Sequence, residues 1–345
     1  MKKKILCIIG TRPEVIKMAP IILALKTQPW VNLRVVATAQ HRDLLDQMLK
    51  LFGIRPHIDL NIMEPNQKLP QLTAKLINKL TTLFETEKPQ AIIGQGDTTS
   101  VFCAALAAFY QHIPFYHVEA GLRSRDVSNP FPEEMNRILT DRMSTLLFAP
   151  TEGSKINLLS EGIDPGSVHV TGNTVIDALL YISRLKTQPS IKLDPSKRLI
   201  LLTAHRRESF GLPFLEICKA IRRLANEIEE VQILYPVHPN PQISHIAFQQ
   251  LGSHKNILLT PPLDYDVFVK VLNQAYLVLT DSGGIQEEAP ALGKPVLVLR
   301  DKTERPEGIE AGVAKLIGLN AERIFNNTVD LLNNKENYNK MIKNY

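Results

Sequence analysis

The sequence is poor in cysteine, free of low-complexity segments, and has no hydrophobic run long enough to cross a membrane. Each absence closes a class of function. Of 345 residues only Cys7, Cys103 and Cys218 are cysteines, and their spacing suits neither a metal site nor a redox pair, so they read as reduced core residues of a cytoplasmic protein. Three lysines precede the apolar run ILCIIG, which imitates an export signal, but six residues ending at Thr11-Arg12-Pro13-Glu14 are too few for one. The net charge of +5 is thinly spread and lacks aromatic interleaving, which argues against nucleic acid and suits an anionic small molecule. What is present is ordinary for a globular protein. With 44% hydrophobic and 22% charged residues, a chain of this length can bury two separate cores.

Apolar runs and helical spacings alternate along the chain. Strands are expected at residues 4–9, 33–38, 91–93, 113–118, 146–148 and 169–171, and helices at 15–25, 44–52, 69–84, 101–109, 154–159 and 174–185. Strands that alternate with helices predict a parallel, doubly wound sheet. Polar residues 186–197, with two prolines, read as a linker. The pattern then restarts, with strands at 199–203, 231–235, 257–259, 277–280 and 296–299 and helices between, one through Leu224 and one over 265–272. The fold class is therefore α/β, two Rossmann-like doubly wound domains facing a cleft: residues 1–172, a connecting helix and linker over 173–197, and residues 198–345.

Four stretches carry chemistry. Gly10-Thr11-Arg12-Pro13 joins a strand to a helix, where the helix N-terminus with Arg12 and Lys17 would favour phosphate, although a plain turn with two surface cations is the commoner meaning of such a motif on its own. Asp97 follows a strand in GQGDTT and by position is a helix N-cap, a role worth about 1 kcal/mol. Between Tyr116 and Arg137, Glu119 lies where a strand runs out and Pro130 and Pro132 hold Glu133 near a helix start. Arg123, Arg125 and Asp126 add more charge than a connection needs, though charged loops are often merely solvated. The sharpest signal is Thr280 to Ala289, TDSGGIQEEA. Free N–H groups of Ser282, Gly283 and Gly284 could hold a diphosphate and Glu288 a ribose. The segment has neither the Walker lysine nor GxGxxG, which argues against ATP hydrolysis and a dehydrogenase.

With these pieces assembled, the chain closely resembles the non-hydrolysing UDP-N-acetylglucosamine 2-epimerases, which have the glycosyltransferase-B fold. The resemblance runs almost end to end, on GTRPEVIKMAP, TAQHRDLLDQ, GDTTS, HVEAGLRS, PFPEEMNR, TGNTVIDAL, TAHRRESFG, LTDSGGIQEEAPALGKPVLVLRD and TERPEGIEAG. It implies that Asp97, Glu119 and Glu133 act on the sugar, with His205 by the diphosphate, and so replaces the cap reading of Asp97. It implies that Ser282, Gly283, Gly284 and Glu288 hold uridine diphosphate, that Arg12, Lys17 and Arg305 add positive charge, and that Leu263 to Phe268 lie against the uracil. Gln40, Gln67, Arg206 and His238 match a regulatory site for a second substrate molecule, where Asp43 and Asn66 replace a Gln and an Arg. Gln95 stands where many relatives have His, and Ser124-Arg125 where Thr-Gly is common.

The same resemblance implies reversible epimerisation at carbon 2 of UDP-N-acetylglucosamine through 2-acetamidoglucal and UDP, for cell-surface polysaccharide synthesis. It implies a homodimer and needs no metal or other cofactor. A hydrolysing epimerase, a glycosyltransferase and a non-catalytic sensor are the rival readings. The presence of all three carboxylates favours catalysis, because a sensor needs only the Ser282 to Glu288 half. Relatives continue past Tyr345 with an NPYGDG-type segment and a last helix. The expectation is that this chain binds UDP but epimerises poorly beside a version carrying that tail.

Overall fold

The computed structural model describes residues 2–38, 42–64, 67–185, 191–206, 210–303 and 305–343. The chain divides into two compact units, Met1–Ala178 and Leu179–Tyr345. In the first, β1 (Lys3–Ile9), α1 (Arg12–Lys26), β2 (Val31–Ala37), α2 (Arg42–Leu51), β3 (Ile58–Asp59), α3 (Leu69–Glu87) and β4 (Ala91–Gln95) follow in order. They lead to α4 (Thr99–Tyr110), β5 (Phe115–Val118), α5 (Glu133–Met143), β6 (Leu146–Ala149), α6 (Glu152–Ser160), β7 (Val168–Val170) and α7 (Thr174–Arg184), within which the division in sequence falls. All seven strands are parallel, in the order β3-β2-β1-β4-β5-β6-β7.

Parallel strands are buried on both faces, so β1 and β4 read as continuous apolar runs. On one face Leu6, Ile8, Ile92 and Phe115 pack against Leu72, Leu76, Leu80 and Phe84, an every-fourth-residue stripe of α3. Four buried alanines of α4, Ala104, Ala105, Ala107 and Ala108, join the same cluster.

The second unit repeats the plan with β8 (Arg198–Thr203), α8 (Leu212–Glu227), β9 (Val231–Pro236), α9 (Pro241–Leu251), β10 (Ile257–Thr260), α10 (Tyr265–Gln274) and β11 (Leu277–Thr280). Then come α11 (Gly283–Ala291), β12 (Val296–Val298), α12 (Pro306–Glu310), β13 (Ala314–Leu316), α13 (Ala321–Asn333) and α14 (Lys335–Lys343). Its six parallel strands run β10-β9-β8-β11-β12-β13. Ile200, Leu202, Ile233, Tyr235, Leu277 and Leu279 pack against Phe214, Ile217, Ile221 and Leu224 of α8.

In each sheet the strand order reverses once in the middle, between β1 and β4 and between β8 and β11. Chain connections leave these two gaps in opposite directions, and a crevice opens outside the carboxyl ends of the strands there. The expected strands and helices are found with ends shifted by one to three residues. Short β3 and β13 were not anticipated, because two or three residues carry no periodicity.

Candidate active site

Both reversal points carry residues singled out in the sequence. In the first unit, Gly10 to Arg12 follow β1, Gly96 to Thr98 follow β4, and Glu119 follows β5. Thr98 caps α4, its hydroxyl accepting from Val101 N–H at 3.3 Å. The N-cap reading of Asp97 is thereby corrected: both residues are good caps, and Thr98 takes the place. The freed Asp97 carboxylate pairs with Arg137, and its backbone carbonyl accepts from Asn136 Nδ2 at 2.9 Å. Burial pushes the Asp97 carboxyl above the usual carboxylate range. The Arg137 charge opposes this, and the neighbouring Glu119 charge adds to it.

Glu119 is held from both sides, one oxygen paired with Lys17 and the other accepting from Gln95 Nε2. It has φ 67°, a left-handed backbone that is costly for a non-glycine residue and recurs at functional sites. Lys17 therefore engages a carboxylate and does not stand beside Arg12 as a free cation. Arg12, half-buried in the first turn of α1, makes no hydrogen bond or ion pair among the described residues. Glu133 opens α5, half-buried and likewise without a partner among the described residues. Its neighbour Glu134 is buried, accepts Ser124 N–H at 2.9 Å and Arg125 N–H at 3.0 Å, and lies 3.4 Å from Arg137. Ser124-Arg125, the departure from the family pattern, is thus fixed through its backbone.

The charge in the loop after Glu119 is structural, contrary to its reading as an excess. Arg123, 3% exposed, donates to Asp141 at 2.8 Å and to Glu161 at 2.7 and 2.8 Å. Arg125 donates to Asn157 Oδ1 at 3.1 Å, and Asp126 Oδ1 accepts Ser128 N–H at 2.9 Å.

Glu14 was missed. In GTRPE it reads as the acidic residue of a helix first turn, and it does accept the N-cap Thr11 N–H at 3.0 Å. It is also buried, accepting Gly10 N–H and the Thr98 hydroxyl, so it ties the β1 loop to the β4 loop. Gly10 is required here: a Cβ would lie 2.4 Å from Thr38 Oγ1 and 3.2 Å from Glu14 Oε2. Burial raises the Glu14 carboxyl to about 7 from 4.5, against the hydrogen bonds from Thr98, Gly10 and Thr11 and with the Asp97 charge. A carboxyl whose pKa rises on folding stabilises the fold below its unfolded value and loses that contribution as pH climbs through its folded value. Between about pH 5 and about pH 8 the wild type should lose roughly 2.5 kcal/mol more stability than Glu14→Gln, which cannot ionise. Parallel loss of denaturation free energy in the two proteins over that window would contradict this.

In the second unit, His205 follows β8 and Asp281 follows β11, strands joined at Thr203 and Thr280, whose hydroxyls lie 2.6 Å apart. The buried Asp281 accepts His205 N–H and Arg206 N–H, both at 2.9 Å, and stands 3.5 Å from His205 Nδ1. Burial lowers the His205 pKa against the pull of Asp281, and the charges of His238 and Arg206 lower it further. The His238 ring stacks on His205 with centroids 5.8 Å apart.

Ser282 caps α11 by position, but its N–H donates to Thr280 Oγ1 at 2.9 Å and so is not free as expected. Gly283 and Gly284 present first-turn N–H groups, which have no acceptor within the helix. Glu288 is half-buried, one oxygen 4.0 Å from where a Gly284 Cβ would be. Arg305 pairs with Glu287, so its charge is compensated. Leu263 and Phe268, both half-buried, flank the start of α10 beyond edge strand β10, away from β8 and β11 in strand order. Of the expected regulatory set, Arg206 and His238 lie beside His205. Gln67 is in the first unit, and Gln40 lies outside the described residues, as does Asn66.

Among the described residues no group of three or more His, Cys, Asp or Glu could hold a metal ion. No helix among them is long and apolar enough to cross a membrane.

The family model described as UDP-N-acetylglucosamine 2-epimerase matches residues 23–345. UDP-N-acetylglucosamine 2-epimerase of Escherichia coli K12 is 47% identical over 348 residues, covering 98% of this chain and 93% of its own length. The crystal structure of UDP-GlcNAc 2-epimerase from Neisseria meningitidis bound to UDP-GlcNAc matches with TM-score 0.91 and 46% identity, covering 99% of this chain and 94% of that one. A putative UDP-N-acetylglucosamine 2-epimerase of Listeria monocytogenes matches with TM-score 0.93 and 47% identity, covering 100% and 92%. The two parallel sheets are those of the glycosyltransferase-B fold of these relatives.

Proposed function

The chain belongs to the UDP-N-acetylglucosamine 2-epimerase family, and from that premise we propose that it reversibly converts UDP-N-acetylglucosamine to UDP-N-acetylmannosamine for cell-surface polysaccharide synthesis. What carries the reading is the carboxylate pair: Asp97 and Glu119 follow neighbouring strands, their charges act on each other, and burial holds Asp97 toward its protonated form.

The hydrogen on sugar carbon 2 is not acidic while no electron-poor carbon adjoins it, so the leaving group departs first. Loss of UDP from carbon 1 creates an oxocarbenium-like centre, a carboxylate removes the carbon 2 proton, and 2-acetamidoglucal forms. Protonation from the opposite face and return of UDP give the epimer. Two faces need two proton-carrying groups of different affinity, a demand that a raised Asp97 beside Lys17-paired Glu119, with Glu133 free to act, would meet.

The departing diphosphate is assigned to Gly283 and Gly284 N–H at the α11 N-terminus with His205, while Ser282 lends its side chain. Arg12 adds positive charge, and Lys17 and Arg305 add theirs only by sharing it with Glu119 and Glu287, the carboxylates they already pair with. Glu288 takes the ribose, and Leu263 and Phe268 border the uracil. Gln40, Gln67, Arg206 and His238 are the candidates for holding a second substrate molecule, a site whose family pattern Asp43 and Asn66 break. The protein acts as a homodimer in the cytoplasm, where the buried free thiols Cys7, Cys103 and Cys218 stay reduced.

The test is proton NMR of UDP-N-acetylglucosamine with the protein in deuterium oxide. The manno epimer with deuterium at carbon 2 and no free sugar is expected; free N-acetylmannosamine would make the enzyme a hydrolase, and an unchanged spectrum would refute catalysis. For Glu288→Ala, weaker UDP binding by about tenfold and a higher KM at little-changed kcat are expected, because a ribose contact persists through the reaction. A pure kcat defect would contradict the ribose role.

A further inference from the structure

His117 lies in β5 beneath the two carboxylate loops with no exposed surface, the one fully buried histidine among the described residues. Its Nδ1 is 2.6 Å from Asp141 Oδ1 and its Nε2 is 2.8 Å from the Gly96 carbonyl oxygen. Both partners are acceptors. A carbonyl oxygen cannot donate, and Asp141 already receives Gly121 N–H at 3.2 Å and Arg123 at 2.8 Å on its other oxygen, which favours the ionised carboxylate. Each ring nitrogen must therefore donate, and a ring that donates twice carries two protons.

The charged groups around the ring come from four places. Asp141 belongs to α5, Arg123 to the loop after β5, Glu161 to the end of α6, where it pairs with Arg123, and Asp97 to the loop after β4. Burial pushes the ring toward its neutral form. The charge and hydrogen bond of Asp141, the Gly96 carbonyl and the Asp97 charge together outweigh burial, and the net pKa lies above the ordinary histidine value.

We propose that His117 is a buried imidazolium acting as a positioning residue, which with Asp141 holds the Gly96–Asp97 and Glu119–Gly121 loops in register for proton transfer. The ring grips the carbonyl of Gly96, next to Asp97, and through Asp141 the N–H of Gly121, two residues past Glu119. Gly96 N–H also donates to the Val118 carbonyl at 3.0 Å, a direct tie between the two loops. When the ring loses its second proton, a bare nitrogen faces a carbonyl or carboxylate oxygen and one tie is lost. The sign follows from the raised pKa: the ties hold below the ordinary histidine value and are lost as pH rises through the higher, folded one. The inference rests on the reading of Asp97 and Glu119 as the groups that act on the sugar.

The experiment joins nitrogen NMR of the full chain labelled at histidine with steady-state kinetics from about pH 6 to about pH 9. The ring whose N–H protons exchange slowly with solvent should stay doubly protonated above about pH 7, where exposed rings are neutral. The wild-type kcat should fall along the same titration. Asp141→Asn should lower kcat about tenfold or more with KM within about twofold, and move the alkaline fall to lower pH. A slowly exchanging ring with one proton at about pH 7 overturns the proposal, as does a wild-type kcat that stays flat through the ring's titration. If Asp141→Asn does not fold, the two wild-type measurements decide alone. A protein that epimerises nothing at any pH sinks the functional reading instead, and the two failures are thereby told apart.

Discussion

Asp97→Asn, Glu119→Gln and Glu133→Gln are each expected to lower turnover at least about a hundredfold while UDP affinity changes little, since general acid–base groups contribute about that much. The three tests differ in cleanness. Glu119→Gln also removes a charge from Lys17 and rearranges the Gln95 contact, and Asp97→Asn removes the carboxylate charge that Arg137 shares with Glu134, so part of either loss is repositioning. Glu133 touches no partner among the described residues, and its amide analogue should leave the resting structure intact. Glu133→Gln is therefore the sharpest of the three. Turnover kinetics with UDP calorimetry on each variant decides the matter: lost UDP binding with turnover per bound substrate preserved would move the chemistry elsewhere.

Much of the fold was legible because parallel strands buried on both faces announce themselves as apolar runs, as Ile5 to Ile9 and Leu199 to Leu202 do. α13 was not anticipated despite its amphipathic spacing, Ile324, Phe325, Thr328 and Leu331 facing inward; it had no motif to draw the eye. At the site, positions were legible and partners were not. Asp97 and Thr98 are equally good caps by type, and only the helix start chooses. Glu133 and Glu134 are adjacent and chemically alike, yet one turn of α5 buries the second against Arg137 and the Ser124 backbone and leaves the first without a partner among the described residues. Glu14 meets Thr98 across 84 residues, and His117 meets Asp141 across 24; no local pattern records either contact. The resemblance supplied roles for matching residues. It could not show that the Ser282 N–H is already used by Thr280, or that Arg305 is engaged by Glu287.

Asp281→Ala is expected to be the most damaging single change in the second unit. In TDSGG the aspartate reads as part of a phosphate cradle, but its side chain points back into the protein, fully buried, and accepts two backbone N–H groups from the loop after β8. Those two residues, His205 and Arg206, include the histidine proposed to meet the diphosphate. A hydrogen bond to a charged group contributes about 1.5–3 kcal/mol, and the alanine leaves both donors facing a cavity, so a loss of roughly 2–4 kcal/mol in unfolding free energy is expected. Turnover should fall at least about tenfold even where the variant is folded, because His205 loses both its backbone anchor and the carboxylate 3.5 Å from its ring. Asp281→Asn keeps an acceptor oxygen for the two N–H groups but carries no charge, so it should retain most of the stability while the His205 pKa, no longer lifted by Asp281, drops further below its ordinary value. Denaturant unfolding, kcat and histidine NMR on the two variants separate these effects. An alanine variant as stable and as active as the wild type would show that the His205 loop is held by other means.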